Sequence, residues 1–504
     1  MSLTRRTAKH GVQMVGSRLL GMGIGVVSLI LYTRLLRPTD VALISVYAML
    51  SSLVYMVSNL GLGLYVARQM PRLEVSDAAS SRLLGHSYVL VVAVMSPLCC
   101  AALVIAARPL AALLLAEAGA ETPDLAVLRR QLLLLMPAIL MGSWTNVVAV
   151  IMRGRSMFGW ISLHGVVMQV LHPLLIVSLF IWLDTTGLLL GLVLANVLPN
   201  LMVSWLVRDY LVGPVSWRRL GSFLRDAWPY YAEDYASYFS LYADQWMVGI
   251  LMRPADLAIY YVAKTMFDRL FTLMDAVNNV ALASIATVAS HGAEVVRSSF
   301  IKVRRAYAYM FSPLSAIMLA SSFWIVDLLV GSEYRSAWKP FAVLCIAFFL
   351  TAIYSPHAIG VMVLASPKKR LIGVIFQSVA LIAALLPLGW YFGLVGVAAS
   401  RIVGRAVAGL YSAAIVRSIL QYGWDRTALR ALPPATFGLL GWLVLMQVLF
   451  YDPLVVPIYL ALGFVGYVLS FARRTSPEDL RVLADMLPPS ARRLVPFLAK
   501  LQVG

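Results

Sequence analysis

The sequence predicts an all-α membrane protein of about fourteen transmembrane helices, and three observations predict it. The 504 residues are 61% hydrophobic and only 13% charged, with a mean hydropathy of +0.84; a water-soluble fold cannot hide that much apolar surface. The apolar residues fall into long runs joined by short connectors. Along the chain those connectors alternate between rich and poor in Lys and Arg. Cytoplasmic connectors retain positive charge, so the alternation reads as topology and places both termini inside. The net charge of +18 is then an orientation signal, and no nucleic-acid partner is expected.

Taken in order, the first run, at 12–33, follows Arg5, Arg6 and Lys9. It is too long for a cleaved signal peptide and lacks a clear cleavage site, so it is expected to be an uncleaved anchor. Runs at 41–66, 83–107, 126–152, 158–183 and 187–211 complete a set of six. A second set lies at 225–251, 256–289, 303–330, 338–364, 370–392 and 394–419, and two more runs at 432–450 and 454–473 follow. The expected division is an N-lobe at 1–211, a C-lobe at 212–420, two additional spans at 421–474 and a tail at 475–504. The connectors near 108–125 and 210–224 are too short to fold as domains, which speaks against extramembrane catalysis. The three cysteines, Cys99, Cys100 and Cys345, fall within predicted spans and read as packing residues. In the tail, Ser476-Pro477-Glu478-Asp479 is a helix start, and Arg492, Arg493 and Lys500 alternate with Leu494, Phe497, Leu498 and Leu501. That pattern predicts amphipathic helices lying on cytoplasmic headgroups.

Arg37-Pro38-Thr39-Asp40-Val41-Ala42 precedes span 2, and Arg253-Pro254-Ala255-Asp256-Leu257-Ala258 precedes span 8, at an offset of 216. Gly191-Leu192-Val193-Leu194-Ala195 and Gly396-Val397-Ala398-Ala399-Ser400 repeat at an offset of 205. Spans 1–6 and 7–12 therefore read as two copies of one six-helix unit. Each copy crosses an even number of times, so both share an orientation; transporters built this way bind substrate between the halves and rock them.

Spans 7, 8 and 12 carry Glu233, Asp234, Asp244, Lys264, Asp268, Arg269, Asp275, Arg401 and Arg405. A charge at the bilayer centre costs about 2.5–3.5 kcal/mol on the gentlest scale. Facing lipid together they would cost about 20–30 kcal/mol, more than a protein's whole stability. They are expected to face an interior. Glu233, Ser237, Ser240 and Asp244 form one helical stripe, and Lys264, Asp268, Thr272, Asp275 and Asn279 form another. Asp244 is the deepest of them. In the first copy the aligned residues are milder: Ser28, Ser52, Asn59, Asn196 and Asn200, with Arg18 the one full charge. Lys264 and Asp268 are spaced to neutralise one another. His86, His164, His172 and His357 read as packing groups, and Gly21 with Gly25 as a close-packing GxxxG. No catalytic set and no metal cluster is expected.

These residues resemble the multidrug/oligosaccharidyl-lipid/polysaccharide exporter superfamily and, within it, the polysaccharide (O-antigen type) flippases. The likeness rests on the six-plus-six-plus-two layout and on signatures in order. Asn59-Leu60-Gly61-Leu62 closes span 2, Asp244 lies in span 7, and Asp256-Leu257-Ala258-Ile259-Tyr260 opens span 8. Gly331-Ser332-Glu333-Tyr334-Arg335-Ser336-Ala337 is similar to the family's Gly-x-x-Tyr-x-x-Ala, and Ala365-Ser366-Pro367-Lys368-Lys369-Arg370 to its basic turn. Val41-Ala42 departs from the family's Tyr-Gly pair. The resemblance implies that an undecaprenyl-pyrophosphate-linked oligosaccharide is moved across a bacterial inner membrane. Its implied partners are that lipid-linked oligosaccharide, membrane lipids and polysaccharide assembly proteins. Each unpaired sugar hydroxyl taken into hydrocarbon costs about 4–8 kcal/mol, so such cargo cannot cross unaided. Arg18, Lys264, Arg269, Arg401 and Arg405 are the expected anion contacts. Asp244, with Glu233, Asp234, Asp268 and Asp275, is expected to carry a coupling proton or sodium ion, and no cofactor is expected. The rival readings are an exporter of small organic cations, a flippase for lipid II, and a membrane glycosyltransferase or polymerase using Asp40.

Overall fold

The apolar runs fold as helices, and no strand occurs among the described residues. The structure, a computed structural model, describes residues 20–114, 125–289, 292–423, 426–449 and 456–474; Arg18 and the tail at 475–504 lie outside them. Helix α1 covers Leu20–Leu35. It is followed by α2 Pro38–Asn59, α3 Leu62–Ser76, α4 Ala78–Ile105, α5 Ala107–Leu114, α6 Leu125–Gly154 and α7 Phe158–Leu206. Next come α8 Trp217–Leu251, α9 Pro254–Val288, α10 Ala293–Ala320, α11 Ser322–Leu329, α12 Trp338–Leu364 and α13 Pro367–Leu420. The last two are α14 Arg426–Leu449 and α15 Val456–Arg474. Among the described residues seven helices are long and apolar enough to cross a bilayer, or eight if α10 and α11, bent by 66°, form one span.

At 49 and 54 residues, α7 and α13 would each extend over 70 Å at about 1.5 Å per residue, more than twice a hydrocarbon core of about 30 Å. Both break. Asp184 (φ 54°, ψ −142°) interrupts α7 and Gly393 (φ 57°, ψ −138°) interrupts α13. Beyond each corner the chain folds back so closely that a Cβ on Gly187 would strike the Leu179 carbonyl, and one on Gly396 the Leu388 carbonyl. Each long helix is thus an antiparallel hairpin that uses glycine at the crossing, and the two arms match two predicted runs. The paired corners also correct the repeat register. Asp184 matches Gly393 and Gly187 matches Gly396, an offset of 209, so Asn196 is the counterpart of Arg405 and Leu192 that of Arg401.

Other elements recur between the copies. A 28-residue helix followed directly by a second helix appears as α4–α5 and again as α10–α11. Helices α2 and α9 both begin at the proline of Arg-Pro-x-Asp, and the arginine Nε meets the aspartate at 2.8 Å (Arg37–Asp40) and 3.5 Å (Arg253–Asp256). The copies differ where the predicted run 41–66 ends early. Leu60 and Gly61 are left-handed, so α2 stops at Asn59 and α3 starts anew, whereas α9 continues unbroken. Asn59 Oδ1 secures the corner by accepting the Gly63 N–H at 2.6 Å. Gly61 sits against the α8 backbone at Ala227 and Tyr231, where a Cβ has no room. The corresponding residue of α9 is Val277, which disfavours a left-handed break.

The chain forms two compact units. Of the described residues, the first holds those up to Leu273 together with Val330–Tyr334; the second holds Met274–Leu329 and those from Arg335 onward. The division between these units falls within α9, and α8 packs along α2 and α3 in the first of them. The core of the first unit joins Leu62 and Met70 of α3, Leu84 and Tyr88 of α4, Ile151 of α6 and Val203 of α7. Its outlying segment is held by Tyr334, which is buried and donates to the Leu36 carbonyl at 3.2 Å, and by Gly331, which lies on the Thr33 carbonyl. These two contacts account for the Gly-x-x-Tyr signature. In the second unit Tyr309 and Ala316 of α10 pack with Leu439 and Leu443 of α14 and with Tyr459 and Tyr467 of α15.

Candidate functional site

In the first unit α8 turns its polar stripe inward, as the spacing predicts: Glu233, Ser240 and Asp244 are buried, Asp244 completely at 0% exposed. Four side-chain bonds fasten this helix to α2. Gln245 Nε2 donates to Ser45 Oγ at 3.0 Å, and the Tyr238 hydroxyl donates to the Met49 carbonyl at 3.2 Å. Ser52 donates to the Tyr242 hydroxyl at 2.8 Å, and Asn59 Nδ2 donates to Asp234 at 2.8 Å. Asp244 accepts from the Tyr260 hydroxyl of α9 and from the Gln245 backbone N–H at 3.0 Å. On α9, Lys264 donates to Asp268 at 3.2 Å and lies 5.1 Å from the centre of the Tyr242 ring. Asp244, Tyr260, Tyr242, Lys264 and Asp268 are thus linked contact by contact where α8 meets α9.

Arg269 lies apart from these residues, against α1. Its guanidinium occupies the space a Cβ on Gly25 would take, and the Gln169 amide occupies the space beside Gly21. The GxxxG of α1 therefore seats two polar side chains, where the sequence predicts helix-to-helix packing. Arg269 forms no ion pair or side-chain hydrogen bond among the described residues, and its buried Nε has no partner. Gln169 Oε1 and Gln245 Oε1 are likewise buried without partners. Buried polar atoms are ordinarily bonded, so orphans in one unit mark places for water or for a ligand's polar groups.

In the second unit Asp275 accepts from Asn278 Nδ2 at 3.2 Å, Arg401 is only 2% exposed, and Arg405 is half-buried. The histidines are packed. His172 meets Asn196 at 3.3 Å, and His357 lies among the rings of Phe300, Tyr354 and Tyr422. His86 places its ring nitrogens on the carbonyls of Asp209 (3.0 Å) and Pro214 (3.3 Å). Asp40, the residue an enzyme reading would use, is 1% exposed and engaged by Arg37 and by the Thr185 hydroxyl at 2.7 Å, as a helix-start residue. The three cysteines are free thiols. Among the described residues no group of three or more His, Cys, Asp or Glu is placed to hold a metal ion.

Tyr260, Tyr242, Gln245, Ser45 and Gln169 complete these surroundings and were not among the expected site residues. Only Tyr260 had a signal, as the last residue of the Asp256–Tyr260 signature.

Chemically, the Asp244 carboxyl can exist ionised, accepting from Tyr260, or protonated and donating. Lys264 and Arg269 supply cationic groups for an anion.

A family model described as polysaccharide biosynthesis protein matches residues 8–289. No curated protein sequence matches. The fold is similar to that of a lipid II flippase, MurJ, in an inward closed conformation, with a TM-score of 0.73 at 14% identity, covering 92% of this chain and 98% of that one. It is also similar to a multidrug resistance MATE family transporter of the MOP superfamily, inward-facing, with a TM-score of 0.64 at 14% identity, covering 82% and 100%. A MOP superfamily transporter from Pyrococcus furiosus gives a TM-score of 0.57 at 15% identity, covering 82% and 97%.

Proposed function

We propose that this chain, which belongs to the polysaccharide biosynthesis protein family, is a flippase for an undecaprenyl-pyrophosphate-linked oligosaccharide in a bacterial inner membrane. It crosses fourteen times with both termini cytoplasmic and works by alternating access. The observation that carries this reading is the set of ionisable groups on α8 and α9: a fully buried Asp244 bonded to Tyr260, with Lys264 one turn after Tyr260 on α9 and over the Tyr242 ring. Such groups are rare within spans and mark ion or substrate pathways. The MurJ-like fold supports lipid-linked cargo.

Arg18, Lys264, Arg269, Arg401 and Arg405 contact the pyrophosphate or acidic sugars, replacing the hydration lost on entry. Asp244 carries a proton or sodium ion, with Glu233, Asp234, Asp268 and Asp275 on its path. A monovalent cation moving inward gains about 2.3 kcal/mol per 100 mV. Polysaccharide assembly proteins receive the product.

Asp244→Asn keeps the shape of the side chain and removes its charge. Cells carrying it should lose surface glycan and accumulate the lipid-linked intermediate in the inner leaflet; export at the normal rate would end the coupling role. Arg401→Ala with Arg405→Ala should stop translocation while the protein remains in the membrane. Normal flipping by that double variant would remove both residues from the site.

A further inference from the structure

The second unit contains a half-open cavity of about 780 Å³ lined by α10, α12, α13 and α14, within the range of small-molecule sites. One end is cationic and aromatic: Arg304 and Arg305 of α10, Arg417 of α13, and Tyr422, over whose ring the Arg304 guanidinium lies at 5.1 Å. Three arginines and no carboxylate line it among the described residues. The other end is apolar, lined by Leu319, Ile346, Phe349, Leu410 and Leu440, and it opens to the surface at Leu410 and Phe437, which are 60% and 70% exposed. From Arg304 to Leu319 the helix rises about 22 Å, somewhat more than one leaflet of a hydrocarbon core about 30 Å thick. The shape is a charged mouth over a side-open tube about as deep as a fatty acyl chain is long.

Two further observations point to an occupant. Ser312, 1% exposed, and Thr436 line the cavity, and their hydroxyl oxygens are buried without any hydrogen-bond partner. Helical serines usually bond the preceding turn, as Ser315 does with the Phe311 carbonyl at 2.7 Å; Ser312, one turn away on the cavity wall, does not. Helix α14 packs chiefly on α10 and α15. The cavity fills the space it leaves toward α12 and α13.

We propose that this cavity holds an anionic glycerophospholipid. Its phosphate lies at Arg304 and Arg417, the Ser312 and Thr436 hydroxyls face its ester oxygens or the waters beside them, and one acyl chain fills the tube. The lipid completes the packing between α14 and the rest of the second unit. This inference does not depend on the cargo or the coupling ion proposed above.

The test is native mass spectrometry of the full-length chain in mild detergent, titrated with phosphatidylglycerol, phosphatidylethanolamine or undecaprenyl phosphate, with the unfolding midpoint followed in parallel. The wild type should bind one phosphatidylglycerol at least tenfold more tightly than phosphatidylethanolamine, and its unfolding midpoint should rise. Arg304→Gln with Arg417→Gln should lose that preference. Ala413→Phe, which narrows the tube and leaves the arginines in place, should weaken both phospholipids alike. Equal binding of the two phospholipids by the wild type would overturn the proposal, as would an unchanged preference in the arginine variant. Displacement of phosphatidylglycerol by equimolar undecaprenyl phosphate would assign the cavity to the cargo instead.

Discussion

Asp184 adopts a backbone conformation that its repeat counterpart fills with glycine, and the two positions allow strain to be weighed against a contact. A non-glycine residue at φ 54°, ψ −142° stores about 1–3 kcal/mol. In return Asp184 gains an exposed ion pair with Arg37 at 2.8 Å, worth about 0–1 kcal/mol. Glycine would add about 0.4–1 kcal/mol of unfolded-chain entropy. At mid-range the backbone strain exceeds the two opposing effects together, so Asp184→Gly should stabilise the protein by up to about 1 kcal/mol, and Gly393→Asp, less the entropy effect, should destabilise it by about 1–2 kcal/mol. Chemical denaturation of the two variants checks both signs; a loss of stability in Asp184→Gly would show that the Arg37 link outweighs the backbone. A pairing was legible where one helix supplies both partners, as with Lys264 and Asp268. It was illegible where a partner comes from another helix. No spacing rule connects Tyr260 to Asp244, or Arg269 to Gly25. The small residues of α1 signal only that something approaches closely, and here it is a guanidinium.

At the level of elements, hydropathy located the helices because desolvation governs every span, yet it could not see corners made by backbone conformation. The apolar run 41–66 passes straight through Leu60 and Gly61, where capping by Asn59 and close approach to α8 turn the chain. The repeat register was misread by four residues for a related reason. Four residues is about one helical turn, so a face of small apolar residues resembles itself after that shift; only the paired corners resolve it. One connector can be tested through its cap. Asp77 precedes α4 and accepts from the Ser80 hydroxyl at 2.5 Å and the Ser80 N–H at 3.1 Å. The Ser80 side-chain bond, followed by the backbone bond, holds its carboxyl below the usual carboxylate pKa. The lowered pKa means that the ionised cap stabilises the helix start above the unfolded value of about 3.9 and is lost as pH falls through the folded one. Hydrogen exchange at the first turn of α4 should therefore accelerate on acidification below about pH 4, beyond the intrinsic pH dependence. Asp77→Asn, a cap that does not titrate, should remove that excess. An identical acid response in the variant would assign it to another group.

For the whole molecule, the charge pattern of the connectors supplies a direction, and the direction decides how coupling can be measured. In the proposed orientation, with both termini inside, the proposed lipid-linked glycan would leave the negative face of the membrane. The pyrophosphate of such a cargo would itself be driven outward by the potential, so dependence on voltage cannot distinguish a coupled ion from the charge of the cargo. A chemical gradient at zero potential can. In proteoliposomes clamped with potassium and an ionophore, a tenfold proton or sodium gradient is worth about 1.4 kcal/mol, enough to concentrate cargo up to tenfold for each ion exchanged. If Asp244 is the carrier, the wild type should approach that ratio with one of the two ions and remain indifferent to the other. Asp244→Asn should equilibrate cargo without concentrating it, or fail to move it. Tyr260→Phe should retain some accumulation at a reduced rate, since it removes one hydrogen bond to the carboxylate, about 1.5–3 kcal/mol, and leaves the ionisable group. Accumulation by Asp244→Asn equal to that of the wild type would place the coupling ion elsewhere, with the carboxylates of α9, Asp268 and Asp275, the next to be neutralised.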